Sequence, residues 1–180
     1  VAIGTDLIYA AITKAGGVLS HSRQSTIQWH LVFRLASGSI PSSLITIYAL
    51  KHFFGDPENY QEILVTTLGV MLILTSMVLL FKRKIQNFHS PKPNHQSWML
   101  RHRNGITVFV GALLGVGVTL SSVGAGAFGA AVLLVLYPQL SSIKIIGTDI
   151  AHAVPLTLIA GLGHMQLGNV DFTLLGSLLI

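Results

Sequence analysis

The sequence predicts an all-α polytopic membrane protein, an inverted-repeat helical bundle with short or broken helices. Three observations carry this. The chain of 180 residues is 51% hydrophobic and 9% charged, with a mean hydropathy of +0.68, a balance unlike that of soluble domains. Its apolar runs are long and do not alternate: Ile63 to Phe81 and Asn104 to Ile143 carry no charge. About 20 apolar residues cross the ~30 Å hydrocarbon layer as a helix, whereas membrane strands alternate polar and apolar positions. The chain also repeats itself. Ile146-Gly147-Thr148-Asp149 matches Ile3-Gly4-Thr5-Asp6, each copy passes a histidine (His164, His21), and Val170-Asp171-Phe172 answers Ile27-Gln28-Trp29.

Taken in order, the apolar segments are 5–19, 29–54, 62–81, 105–122, 127–138, 146–162 and 171 onward. Asp56-Pro57-Glu58-Asn59 is a turn cluster, and 82–104, with Pro91 and Pro93, is the longest hydrophilic connection. This divides the chain into a first repeat (1–81), a basic loop (82–104) and a second repeat (105–180). The first and last residues fall inside repeated elements, so the first repeat is expected to lack its N-terminal part and the second its C-terminal part. A duplicated element in so apolar a chain is the pattern of a transporter with its site between two repeats.

Charge supports the topology. If each segment crosses once, one side holds Arg23, Lys82, Arg83, Lys84, Lys92, Arg101, Arg103 and Lys144. The other holds Asp56, Glu58, Glu62 and Asp171, with Lys51 as its one basic residue. The positive-inside rule makes the loop 82–104 cytoplasmic. Odd crossings between equivalent points would then insert the repeats in opposite directions. The pI near 9.8 follows membrane topology rather than nucleic-acid binding. With no cysteine there is no disulfide framework or thiolate metal site. No histidine pair shows a ligand spacing with a carboxylate on one helix face, so no metal is expected, and no cofactor is called for.

Four groups of residues could carry chemistry. Val123-Gly124-Ala125-Gly126-Ala127-Phe128-Gly129-Ala130 can break a helix and expose N–H groups to an anion; the alternative is close packing through small residues. Gly4-Thr5-Asp6 and Gly147-Thr148-Asp149 read as helix starts, with Thr and Asp as caps. In the functional alternative the Thr hydroxyls and adjacent N–H groups meet the substrate. Lys14 could balance a bound anion or pair with Asp6, or snorkel to an interface, as Arg34 is expected to do. Asp6, Lys14 and Asp149 are the candidates for coupling or charge pairing. His21 and His164 suit capping of carbonyls at a helix C-terminus. His152 and its repeat partner Tyr9 are the preferred side chains at the site.

These residues resemble the sulfite exporter TauE/SafE family. The resemblance rests on Gly-Thr-Asp with its helix and histidine (4–21), on Ile27-Gln28-Trp29 leading to Gly38-Ser39-Ile40-Pro41, on the Gly-rich Val123 to Tyr137-Pro138, and on Ile146 to His164 followed by Gly168-Asn169-Val170-Asp171-Phe172. It implies an all-helical inner-membrane permease for sulfite, sulfonates or related sulfur-containing anions. It also implies a further N-terminal Gly-rich segment and a second Gly-Ser-Ile-Pro turn beyond Ile180. The chain departs from the family in having Gly-Ala-Gly-Ala where consecutive glycines are frequent, and Lys14 where a neutral residue is usual.

The expected function is secondary transport of such an anion by alternating access, in a lipid bilayer and without nucleic acid. The anion is expected against helix starts at Gly124–Gly129, chiefly Gly124 and Gly126, and at Gly147–Thr148. Gly4–Thr5 is expected to face it across the pseudo-symmetry axis, with Tyr9 and His152 nearby. A proton or a cation is the expected coupling partner. The alternatives are a membrane-embedded enzyme using Ser121, Ser122 and His152, and a non-transporting scaffold in which Thr148 and His152 are dispensable. Transport direction and oligomeric state are left open by the chain.

Overall fold

The computed structural model describes residues 2–54, 57–87 and 96–179. They form seven α-helices: α1 (Ala2–Arg23), α2 (Trp29–Ala49), α3 (Pro57–Asn87), α4 (Gln96–Ser121), α5 (Ala127–Leu136), α6 (Ser142–Gln166) and α7 (Phe172–Leu179), with a π-helical turn at Leu50–Phe54. Among the described residues four stretches are long and apolar enough to cross a membrane: Trp29–Phe53, Tyr60–Val78, His102–Ser121 and Ser142–Gln166. Their outer faces carry Phe33, Ile73, Phe109 and Leu158 exposed, as lipid-facing surfaces require.

Several boundaries differ from the sequence reading. Asp56 lies outside the described residues, but Pro57 opens α3, where its fixed φ and missing N–H are harmless. α3 runs on to Asn87 and α4 starts at Gln96, so helix enters the polar connection 82–104 from both sides; Pro91, Lys92 and Pro93 lie outside the described residues. Lys, Arg and Gln are good helix formers, so polarity alone does not stop a helix. Gly38-Ser39-Ile40-Pro41 is no turn but sits inside α2.

The largest correction concerns Gly147-Thr148. It does not start a helix: α6 begins a turn and a half earlier, after Ser141. Both Gly-Thr steps are buried and used for packing. Along α1 and α6, a Cβ on Gly4 would meet Asn169 O and His164 Cβ, one on Gly161 would meet Ile8, one on Gly17 would meet Ile150, and one on Gly147 would meet Thr26 and His21. The residue numbers rise on one helix as they fall on the other, so α1 and α6 are antiparallel and in close contact. Since they are equivalent in the repeat, the two copies run in opposite directions.

The copies also exchange hydrogen bonds. Thr148 Oγ1 accepts from Gln28 N at 3.0 Å, at the entry to α2. Thr5 Oγ1 accepts from Asp171 N at 2.9 Å, at the entry to α7. The same bond is thus made twice, each time by the other copy, as a local two-fold demands. The connecting turns match as well: Thr26 N donates to His21 O and Asn169 N to His164 O, with positive φ at the equivalent Ser25 (52°) and Gly168 (72°).

The α2–α4 pair is equally tight. A Cβ on Gly38 would strike Val108 O, one on Gly111 would strike Leu35 O and one on Gly115 would strike Ser39 O. Small residues let these backbones approach, and Ser42 Oγ donates across to Ala112 O at 2.9 Å. α5 then doubles back along α4: Gly129 packs by Leu114, while Tyr137 OH meets Thr107 Oγ1 at 2.7 Å under the Arg103 guanidinium, 4.6 Å from the ring centre.

Three outcomes follow for thermal unfolding in detergent. Gly111→Val, which drives a side chain into the α2 backbone, should lower stability by about 1–3 kcal/mol. Gly69→Ala, with nothing within 4 Å of its added carbon, should leave the midpoint unchanged or raise it. Thr148→Val, which removes the acceptor of Gln28 N–H, should cost about 0.5–2 kcal/mol, and Thr148→Ser should recover most of it.

Candidate functional site

α4 stops at Ser121 and α5 starts at Ala127. In the intervening break Ser122 (φ 60°), Gly124 (φ 113°) and Gly126 (φ 143°) have positive φ, which glycine adopts without strain and serine seldom does. Gly129 N closes onto Gly124 O at 3.3 Å and Ala130 N onto Gly126 O at 3.0 Å. The opening N–H groups of α5 have no carbonyl a turn behind them within the helix, and they lie at its positive dipole end. The break expected around Gly124 and Gly126 is therefore present.

α1 of the opposite copy holds this break at two points. Ser122 Oγ donates to Asp6 Oδ2 at 2.7 Å, and Lys14 Nζ donates to Ala125 O at 2.8 Å. Asp6 and Lys14 are separated by about two helical turns and share one face of α1. Lys14 is only partly exposed; its charge is delivered to the break instead of to a helix end.

From the other side, α6 brings Asp149 and His152. Asp149 is 2% exposed and rests against Gly129, where a Cβ would collide with Oδ1. His152 is fully buried, one turn further along the same face, and its Nε2 shares a hydrogen bond with Ser39 Oγ at 2.8 Å. Asp149 Oδ1 and His152 Nδ1 are buried without a hydrogen-bond partner. Buried polar atoms are nearly always paired, so two orphans a turn apart mark this face of α6. Lys14 interacts electrostatically with Asp149 and Asp6, and with His152.

Beyond His152 the interface stays polar. Ser43 Oγ meets Thr119 Oγ1 at 2.7 Å, His164 Nε2 donates to Thr119 O at 2.8 Å, and Asn169 Nδ2 donates to Tyr60 OH at 2.7 Å. A cavity of about 400 Å³ lies between α1, α2 and α6 and is lined by apolar groups such as Val18, Trp29, Phe33 and Pro155. Lys14, Asp149 and His152 are not among its lining residues.

The expected site residues thus separate into two groups. Gly124, Gly126, Lys14, Asp149 and His152 gather around the α4–α5 break, with Asp6 at its rim. Gly4–Thr5 and Gly147–Thr148 do not converge on it. They lie at opposite ends of the antiparallel pair, roughly 25 Å apart by the ~1.5 Å rise per residue, and their hydroxyls serve the caps described above. Thr148 also bonds back to Lys144 O at 2.6 Å, and Gly147 N–H, inside a helix, is not free for a ligand. Tyr9 is half-buried, and its carbonyl accepts from Thr13 Oγ1 at 2.9 Å. His21 and His164 do not cap the carbonyls of their own helices: His21 Nδ1 bonds Thr26 Oγ1 at 2.9 Å, and His164 reaches α4. Ser121 Oγ turns to Gly117 O at 2.6 Å and Ser122 to Asp6, so neither serine meets His152. The serine that does, Ser39, was visible only as part of Gly38-Ser39-Ile40-Pro41. Among the described residues no group of three or more His, Cys, Asp or Glu could hold a metal.

Comparison with known proteins agrees with this architecture. A family model described as sulfite exporter TauE/SafE matches residues 1–180. The chain is 37% identical, over 181 aligned positions, to "Probable membrane transporter protein YjnA" of Bacillus subtilis (strain 168), covering 100% of this chain and 70% of that protein. No solved structure matches. An all-helical bundle with four membrane-length apolar helices, a full-length family match and a transporter relative lead to one assignment: the chain belongs to the TauE/SafE sulfite exporter family of membrane transporters.

Proposed function

We propose that the protein carries a small sulfur-containing anion, sulfite or a sulfonate, across the cell (inner) membrane by alternating access. The observation that carries this is the delivery of the Lys14 ammonium to the glycine-rich break between α4 and α5. An ammonium and the N–H groups that open α5 ahead of the bonded Gly129 are the donors a sulfur oxyanion needs, and glycine lets the anion approach the backbone. His152 supplies a further hydrogen-bonding side chain on the facing helix. The break belongs to one copy and Lys14 to the other, so relative movement of the copies opens and closes the site, as in transporters with inverted repeats.

In this proposal the two moving units are 1–81 and 105–180, and the loop 82–104 is cytoplasmic by its excess of basic residues. The anion sits between the α4–α5 break and Lys14, displacing the Lys14–Ala125 bond. The family match and the transporter relative support the transporter class; the oxyanion substrate is supported by the donor set.

The test is flux of radiolabelled sulfite and of sulfonates into vesicles containing the full-length protein. Saturable uptake above protein-free vesicles is expected for at least one of them, and its absence for all removes the reading. Lys14→Gln should weaken apparent affinity about 10- to 100-fold, the equivalent of the ~1.5–3 kcal/mol carried by a hydrogen bond to a charged group. Lys14→Arg should retain a larger share of uptake than Lys14→Gln.

A further inference from the structure

We propose that Asp149 is the coupling carboxylate of this transporter: it takes up one proton for each anion loaded, so that anion and proton cross together. The inference rests on the transport reading above and adds to it the identity of the co-transported species.

The geometry supplies the reasons. Asp149 is 2% exposed, its Oδ1 has no hydrogen-bond partner, and it lies against Gly129 at the start of α5. It therefore borders the place where the anion would sit. The groups facing it from each packed element can be named. α1 contributes Lys14, with His21 against Gly147 about half a turn earlier on α6. α6 itself contributes His152. α5 contributes Gly129, with Leu114 of α4 packed beside it, and Ser39 of α2 meets the neighbouring His152; none of the three titrates. Among the described residues no group of three or more His, Cys, Asp or Glu is assembled to hold a transition metal. A proton needs one base.

Charge then dictates the coupling. Asp6 stays at the exposed rim, bonded to Ser122; of the inner pair, with the carboxylate ionised, Lys14 and Asp149 sum to zero. Transfer of a proton from hydronium to Asp149 gives a carboxyl group and a water molecule, and it leaves the ammonium uncompensated. A bound monoanion restores zero. The empty site and the doubly loaded site are therefore neutral, while either ligand alone leaves a net charge in a low-dielectric interior, which is costly. The two neutral states are the ones that reorient, and no bond within the anion is made or broken.

The experiment uses the full-length protein in vesicles with methanesulfonate or isethionate, sulfonates that stay ionised across the working pH range and so add no protons of their own. An inward gradient should acidify the lumen of wild-type vesicles by about one proton per anion, read with an entrapped pH dye. In Asp149→Asn the acidification should fall at least tenfold, while anion-for-anion exchange continues and no longer responds to pH. A second measurement needs no variant: by linkage, wild-type affinity, read as anion-induced thermal stabilisation, should tighten as pH falls, by up to tenfold per unit. Wild-type flux without proton movement, acidification that survives in Asp149→Asn, or pH-independent affinity overturns the inference alone. Inertness of the wild-type protein toward these sulfonates and sulfite removes the transport reading, and this inference with it.

Discussion

Every helix opens with N–H groups that its own carbonyls cannot reach, and within a membrane bundle water is a scarce substitute. This protein meets that constraint by exchange. The entry of α2 is completed by Thr148 and the entry of α7 by Thr5, each threonine coming from the opposite copy. Reciprocity fixes the rest. It sets α1 antiparallel to α6, it favours glycine at 4, 147 and 161 so that the helices can close, and it places the face bearing Asp6 and Lys14 against a break that belongs to the other half of the chain. A lysine and a glycine-rich loop separated by 111 residues meet because two hydroxyls elsewhere are held in register.

Much of this was legible in the residues. Uncharged runs such as Ile63 to Phe81 state the membrane class, and the recurrence of Ile-Gly-Thr-Asp states the duplication. What the pattern could not show was the use made of the repeated residues. Threonine followed by aspartate after glycine has the composition of a helix start, yet Ser142 to Ile146 already form helix and carry it through the motif. The acceptor role of Thr148 has its donor 120 residues away, and local spacing holds no trace of such a partner. Lys14 was ambiguous because a lysine can snorkel or stay, and only the position of Ala125 O decides. Ser39 gave no chemical signal at all, since a serine in a small-residue stretch reads as packing until a histidine is found against it.

The charged interior follows a consistent economy. Lys14, Asp149 and His152 cluster at one level, where they approach the break, while the buried His164 lies apart from them on Thr119 O. The polar groups that run from Ser43 through Thr119 and His164 to Asn169 and Tyr60 are joined by hydrogen bonds. The contrast separates groups that hold helices together from groups with spare capacity, and the spare capacity lies beside the glycines.

The exchanged threonine bonds also bear on how the chain is made. Gln28 leaves the ribosome 120 residues ahead of its acceptor, an interval of roughly 6–24 s at ~5–20 residues per second. During that interval the start of α2 is unfinished, and the first hairpin waits in the bilayer for a partner not yet synthesised. Chains truncated before residue 148 would reach the membrane without completing it, which makes them natural targets for membrane quality control.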